Sequence, residues 1–230
     1  MLKRLLMLTA LVVVLGLVGS ASAELNYEYY EAPEGAQYTL LAHVEFGVAE
    51  PNRVGTSDTL DSGDGNWIRQ TGGHRNDDFA FRFFGFIVVP ISGEITFYLR
   101  SDDGSQLFID GEMVVDNDGL HGTEGFPGDP GIITLEAGAH TIVATQFERG
   151  GGDSIHVAWS AGGQGARRVP DSVLFLEAPA DISQVPVDTI VSQKAYDPNP
   201  MDGAIDVVDA DVALITWSPG YQAVSYNVSI

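Results

Sequence analysis

The chain has 230 residues, no cysteine, and 11 lysines and arginines against 32 aspartates and glutamates, a formal charge of −21. A surface this acidic excludes nucleic acid as a partner, and the lack of cysteine excludes disulfide scaffolds, thiol catalysis and Cys-ligated zinc or iron–sulfur centres. With 44% hydrophobic and 10% aromatic residues the composition is globular, and 27 glycines with 11 prolines favour turns and short strands over long helices.

Lys3 and Arg4 precede an apolar run, Leu5 to Val18, that ends in the small-x-small triplet Ala21-Ser22-Ala23. This is the pattern of a signal peptide over residues 1–23, and its run is shorter than the roughly 20 apolar residues that span a bilayer. The expected product is therefore secreted or held at a cell surface, with no membrane insertion after cleavage. Removing the segment leaves nine cationic against 32 acidic residues, a charge of −23, with Lys194 the one remaining lysine. Two readings of that charge stay open: a calcium-rich or saline exterior that screens it, or a plain soluble surface that repels itself.

Residues 24–178 read as one all-β domain, a sandwich or closed barrel. Apolar and other residues alternate at Phe79-Ala80-Phe81-Arg82-Phe83 and at Ile95-Thr96-Phe97-Tyr98-Leu99-Arg100. Further strands are expected at Gln106–Asp110, Met113–Asp116, Gly131–Leu135, His140–Phe147, Ser154–Trp159 and Val173–Leu176. Ser101-Asp102-Asp103-Gly104, Asp110-Gly111, Glu136-Ala137-Gly138 and Gly150-Gly151-Gly152-Asp153 supply the turns between them. No amphipathic helix longer than two turns is predicted.

Residues 179–192 read as a linker. The Leu214-x-x-Trp217 and Tyr226-x-Val228 strands after it resemble the start of a fibronectin type III-like domain. Residues 193–230 hold only about three of its strands, so a partial C-terminal β segment and a longer parent protein are expected. A calcium loop of the EF-hand kind fails there on register: with Asp197 first, the glycine position is taken by Asp202.

Catalytic signatures are missing. The chain has no Gly-x-Ser-x-Gly elbow, no His-Glu-x-x-His and no phosphate loop. His43, His74, His121, His140 and His156 show no ligand spacing, and His156 reads as a packed strand residue rather than a metal ligand. No enzyme is expected within these residues, although they can belong to a larger one whose catalytic domain lies beyond residue 230.

The chemistry concentrates at Ser101-Asp102-Asp103-Gly104-Ser105, expected as a hairpin tip between two strands. Asp and Gly form turns readily, and a polar turn would suffice. Two neighbouring carboxylates also suit Ca2+, which takes six to eight oxygens. Consecutive side chains of an extended trans chain point to opposite faces, so a shared ion needs a special backbone geometry.

Around this segment the chain resembles the PA14 domain family. The matching pieces run in order: Tyr29-Tyr30, Phe81 to Phe97, Ser101 to Gly111, Ile133 to Ile142, Ile155 to Ser160 and Val169 to Leu174. The resemblance implies a β-sandwich or barrel and, in lectin members, an Asp-Asp pair joined by a cis peptide. That pair holds a Ca2+, which coordinates sugar hydroxyls. Carried over, the pair is Asp102 and Asp103. The family's second calcium loop falls at Glu148 to Asp153, where Glu148 stands at about the position of an asparagine in lectin members. Glu148 and a Gly150 carbonyl are the further metal ligands so implied, and Arg149 and Asp153 join Asp102 and Asp103 as the sugar contacts.

The resemblance places Asp116 to His121 at the border of the binding face; the stretch reads as a strand-end cap, with a rim contact as its alternative. Trp67 reads as core, with sugar stacking as its alternative. The function implied is a secreted, lectin-like module that uses Ca2+ to bind a glycan or polysaccharide. The alternative is a structural PA14 module of a larger secreted glycoside hydrolase or adhesin, without sugar binding of its own.

Overall fold

The computed structural model describes residues 24–61, 75–161, 164–183, 185 and 190, together with the backbone of 196–199 and 216–218. Strands β1 (Leu25–Glu31), β2 (Arg53–Ser57), β3 (Phe79–Val89), β4 (Gly93–Asp102) and β5 (Ser105–Ile109) come first. Then follow β6 (Glu112–Asn117), β7 (Asp129–Leu135), β8 (Gly138–Glu148), β9 (Ser154–Ala161), β10 (Arg167–Arg168) and β11 (Leu174–Phe175). A seven-stranded sheet has the order β2-β1-β3-β8-β5-β6, with β11 also on β3, and a four-stranded sheet runs β10-β9-β4-β7. All these pairings are antiparallel. The fold is all-β. Among the described residues no helix is long and apolar enough to cross a membrane.

Alternation decides which face each strand buries. Phe79, Phe81 and Phe83 on β3 face Ile95, Phe97 and Leu99 on β4 across one core, all at most 2% exposed. Phe81 stacks on Phe83 with ring centroids 5.5 Å apart, and Phe97 meets Trp159 of β9 at 6.2 Å. Each large apolar side chain so buried contributes about 1.5–3 kcal/mol. β9 is buried along its whole length, so alternation is silent there. Its His156 is a packed strand residue, hydrogen-bonded through Nδ1 to Asp61, which also pairs with Arg168.

One turn follows its chemistry closely. β5 and β6 are joined by Asp110-Gly111, both at positive φ (50° and 79°), the pairing that a two-residue hairpin loop requires. The Asp110 carboxylate is then fastened by the Thr141 N–H at 2.8 Å and by His140 Nδ1 at 2.6 Å.

The expected hairpin at Ser101–Ser105 is a different object. β4 and β5 do not pair: β4 lies in the four-stranded sheet and β5 in the seven-stranded one, so Asp103-Gly104 is a crossover between sheets. The same holds for β6 to β7 and for β8 to β9. The order β8-β5-β6 in one sheet stands over β9-β4-β7 in the other, so three crossovers run side by side at one end of the sandwich.

Other expectations shift at the edges. Val173–Leu176 is a single 3-10 turn (Asp171–Val173) followed by the two-residue β11, which pairs with Ile87 and Phe86 of β3 beyond the end of β1. β1, β2 and β10 escape the sequence pattern: β1 mixes tyrosines with glutamates, β2 is mostly exposed, and β10 has two residues. Val185 and Ile190, within the span expected as a linker, pack against the main core. Residues 1–23, Trp67 and His74 lie outside the described residues, as does most of 193–230. Only the antiparallel backbones of β12 (Tyr196–Asn199) and β13 (Thr216–Ser218) are described there.

Near the sheet edges the two layers touch. A Cβ added at Gly131 on β7 would fall on the Val114 carbonyl of β6. Gly131→Ala should therefore lower stability by about 1–3 kcal/mol, the usual effect of overpacking, as read from the urea unfolding midpoint.

Candidate metal centre

The central crossover is held before any ion is considered. The Asp103 N–H donates to the Phe147 carbonyl at 3.1 Å and the Phe147 N–H to the Gly104 carbonyl at 3.0 Å. Gln146 Nε2 donates to the Asp102 carbonyl at 2.8 Å and the Phe147 carbonyl at 2.9 Å. On either side of the corner the fully buried Ser101 and Ser105 share a hydroxyl hydrogen bond of 2.6 Å. Gly104 admits no side chain: a Cβ would come to 2.5 Å from the Gly119 amide and 2.6 Å from the Phe147 ring. That contact explains why a glycine follows the two aspartates.

The Asp102–Asp103 peptide is cis. One carboxylate oxygen each from Asp102, Asp103 and Glu148 lie within 4.8 Å of one another. Glu148 is fully buried, and neither of its oxygens has a well-formed hydrogen bond. Burial first, and then the Asp103 and Asp102 charges, push its pKa up to about 8, which the Gly150 N–H counters only in part. Asp102 is raised by burial and by Asp103, against the N–H of Thr123 and the nearby His121.

Asp103, 7% exposed, accepts the His121 N–H at Oδ1 (3.1 Å) and the Arg149 N–H at Oδ2 (2.9 Å). Three acids converge with oxygens and little to neutralise them. A buried carboxylate that lacks a donor is costly, and a hard divalent cation is the partner such oxygens suit. The residues fit a calcium ion.

The sequence-derived candidates fall into two groups. Asp102, Asp103 and Glu148 are brought together. Gly150 and Arg149 turn backbone N–H groups toward Glu148 and Asp103, while the Arg149 side chain is exposed. Asp153 is close enough for its charge to raise both Glu148 and Asp102. Gly152, of the glycine triplet that lets the chain approach an ion closely, backs onto Asp102: a Cβ there would sit 3.1 Å from Oδ2.

The larger omission is the β6–β7 crossover. The 116–121 stretch, expected as a strand-end cap, continues to Glu124 as a wall of the site. His121 presents its N–H to Asp103 while both its ring nitrogens face acceptors, the Asn117 carbonyl at 3.0 Å and Glu124 at 2.7 Å. Burial alone would lower the His121 pKa, but those two acceptors hold it above the usual histidine value. The sequence signs of this wall were its density of polar and glycine residues and the place of 116–121 beside the binding face that the family resemblance implies.

A two-sheet antiparallel sandwich carrying an acidic cluster at its crossovers defines a class of compact β-module. The chain belongs to the PA14 family, whose PA14 domain model matches residues 25–172. No curated protein matches it significantly. Among solved structures it is similar to the PA14 domain of the MpAFP antifreeze protein, at 18% identity and a TM-score of 0.60 over 72% of this chain and 96% of that one. A PA14 sugar-binding domain from an RTX adhesin aligns at 18% identity and TM-score 0.54, over 66% of this chain and 97% of that one. An anti-sigma factor domain-containing protein from Clostridium clariflavum aligns at 24% identity and TM-score 0.50, over 70% of this chain and 50% of that one. At these identities the likeness establishes the fold. The family match ends at residue 172, so nothing supports the fibronectin type III-like expectation beyond it.

Glu148 sets a pH dependence for the metal-free protein. Its folded pKa of about 8 lies above its ordinary 4.5, so between those values the folded state binds more protons than the unfolded chain. Stability then falls as pH rises through that window. In a chelator, the melting temperature should drop between pH 5 and 8, and Glu148→Gln should flatten most of the slope in differential scanning calorimetry.

Proposed function

We propose that this domain is a secreted or cell-surface carbohydrate-binding module in which Asp102, Asp103 and Glu148 hold Ca2+. The observation that supports this is the buried Glu148 carboxylate, without a proper donor, aimed at two further acids. Carbonyls of the Glu148–Asp153 crossover, Gly150 among them, would complete the protein's share of ligands. Ca2+ bound there would supply direct coordination to vicinal sugar hydroxyls. Asp102 and Asp103 would accept hydrogen bonds from the same hydroxyls, and Arg149 and Asp153 would make further sugar contacts. The domain binds and does not catalyse; catalysis, if the parent protein has any, belongs to another domain.

The domain organisation is an export signal over 1–23, the PA14 domain over 24–178 and a connecting segment over 179–192. The likeness to the PA14 sugar-binding domain of an RTX adhesin supports the glycan reading. A second reading has its own support: compensating Glu148 needs only the ion. A structural module that takes Ca2+ to stiffen its crossovers would satisfy the same geometry with no sugar.

Calcium should raise the melting temperature of the wild-type protein by mass action and be required for its retention on a glycan array. Asp102→Ala should abolish both effects. A calcium-linked melting shift with an empty array would leave the structural module. Neither effect in the wild type would overturn the metal site itself.

A further inference from the structure

Pairing between β4 and β7 ends at Leu99 and Asp129. Beyond that point β4 continues as Arg100, Ser101 and Asp102 with no strand on its β7 side, although Ser101 is fully buried. A buried amide must find an acceptor, and Glu124 provides one: its Oε2 accepts the Ser101 N–H at 3.1 Å. Its Oε1 takes Asn117 Nδ2, at the end of β6, at 3.3 Å and His121 Nδ1 at 2.7 Å. Arg100 Nη1 donates to the Glu124 carbonyl at 3.2 Å. One residue thus ties the end of β4, the end of β6 and the turn between them.

The 117–124 segment consequently runs antiparallel along the ligand-bearing corner. His121 lies opposite Asp103 through its N–H at 3.1 Å, Gly122 and Thr123 lie beside the Asp102 carboxylate, and Glu124 reaches Ser101. Thr123 Oγ1 bonds Ser154 Oγ at 2.7 Å, extending the tie to the start of β9.

We infer that Glu124 is the positioning residue of the ion site: it clamps the β6–β7 crossover so that the His121 and Thr123 N–H groups fix the Asp103 and Asp102 carboxylates in ligating orientation. This role rests on the calcium reading above. Both Glu124 oxygens are engaged by protein donors, and the residue stands outside the cluster of convergent acids. It therefore acts through Asp102 and Asp103 rather than on the ion. Outer partners that orient metal ligands typically change affinity by about 10–100-fold when removed.

Full-length Glu124→Ala and Glu124→Gln test this by calorimetric Ca2+ titration, with amide hydrogen exchange on the metal-free proteins. Glu124→Ala should weaken Ca2+ by about 10–100-fold and speed exchange at His121 and Thr123, leaving the β3 and β8 amides protected. Glu124→Gln keeps one acceptor oxygen and should recover part of the affinity. Wild-type affinity in Glu124→Ala would overturn the positioning role alone. So would a loss of protection across β3 and β8 in Glu124→Ala, with Glu124→Gln binding no better. A wild-type protein that takes up no Ca2+ would overturn the metal reading, and this role with it.

Discussion

Three adjacent strands of one sheet, β8, β5 and β6, each connect across the sandwich to the strand that lies over them, β9, β4 and β7. The shape of this end of the molecule follows from that register. The central crossover is the tightest of the three, with only Asp103 and Gly104 between β4 and β5. Its backbone is bonded to Phe147, the Asp102 carbonyl before it accepts from Gln146, and its glycine is wedged against Gly119 and the Phe147 ring. Charged side chains are thereby forced into a corner that packing would otherwise fill with apolar groups.

The electrostatic consequence is concentrated in Glu148. A carboxylate at the end of a buried strand can be tolerated protonated, or ionised beside a cation. Its raised pKa and the convergence of Asp102 and Asp103 express the same repulsion from two sides. Within an acidic chain of charge −21, the protein offers this corner backbone N–H groups from His121, Thr123 and Arg149, with the His121 ring as a nearby positive group. Amide donors orient carboxylates without cancelling their charge. That keeps attraction available to an ion.

Much of the scaffold was legible because one face of most strands is buried and the other is not. Ile95 to Arg100 alternates in sequence and buries as it alternates, and on β3 Phe79, Phe81 and Phe83 face the main core while Ala80 is buried on the other face against a second cluster. Where that condition fails the pattern fails with it: β9 is covered along its whole length, β2 is nearly bare, and β11 has room for two residues. Asp110-Gly111 was readable as a turn because its two residues tolerate positive φ. Ser101–Ser105 carries similar residues yet joins two sheets, since composition marks a change of direction without saying which sheet the next strand joins.

Periodicity, turn residues and the order of family-like segments were enough to establish an all-β domain and to single out Asp102, Asp103 and Glu148, because these are local properties of the chain. Which loops meet is a matter of strand order across two sheets, and no stretch of sequence encodes it alone. Tertiary structure therefore decided that β6–β7 lines the acidic corner, that Glu124 completes a ladder β7 abandons, and that Glu148 is buried without a donor. Each depends on groups brought close by sheet pairing over separations of 18 to 46 residues.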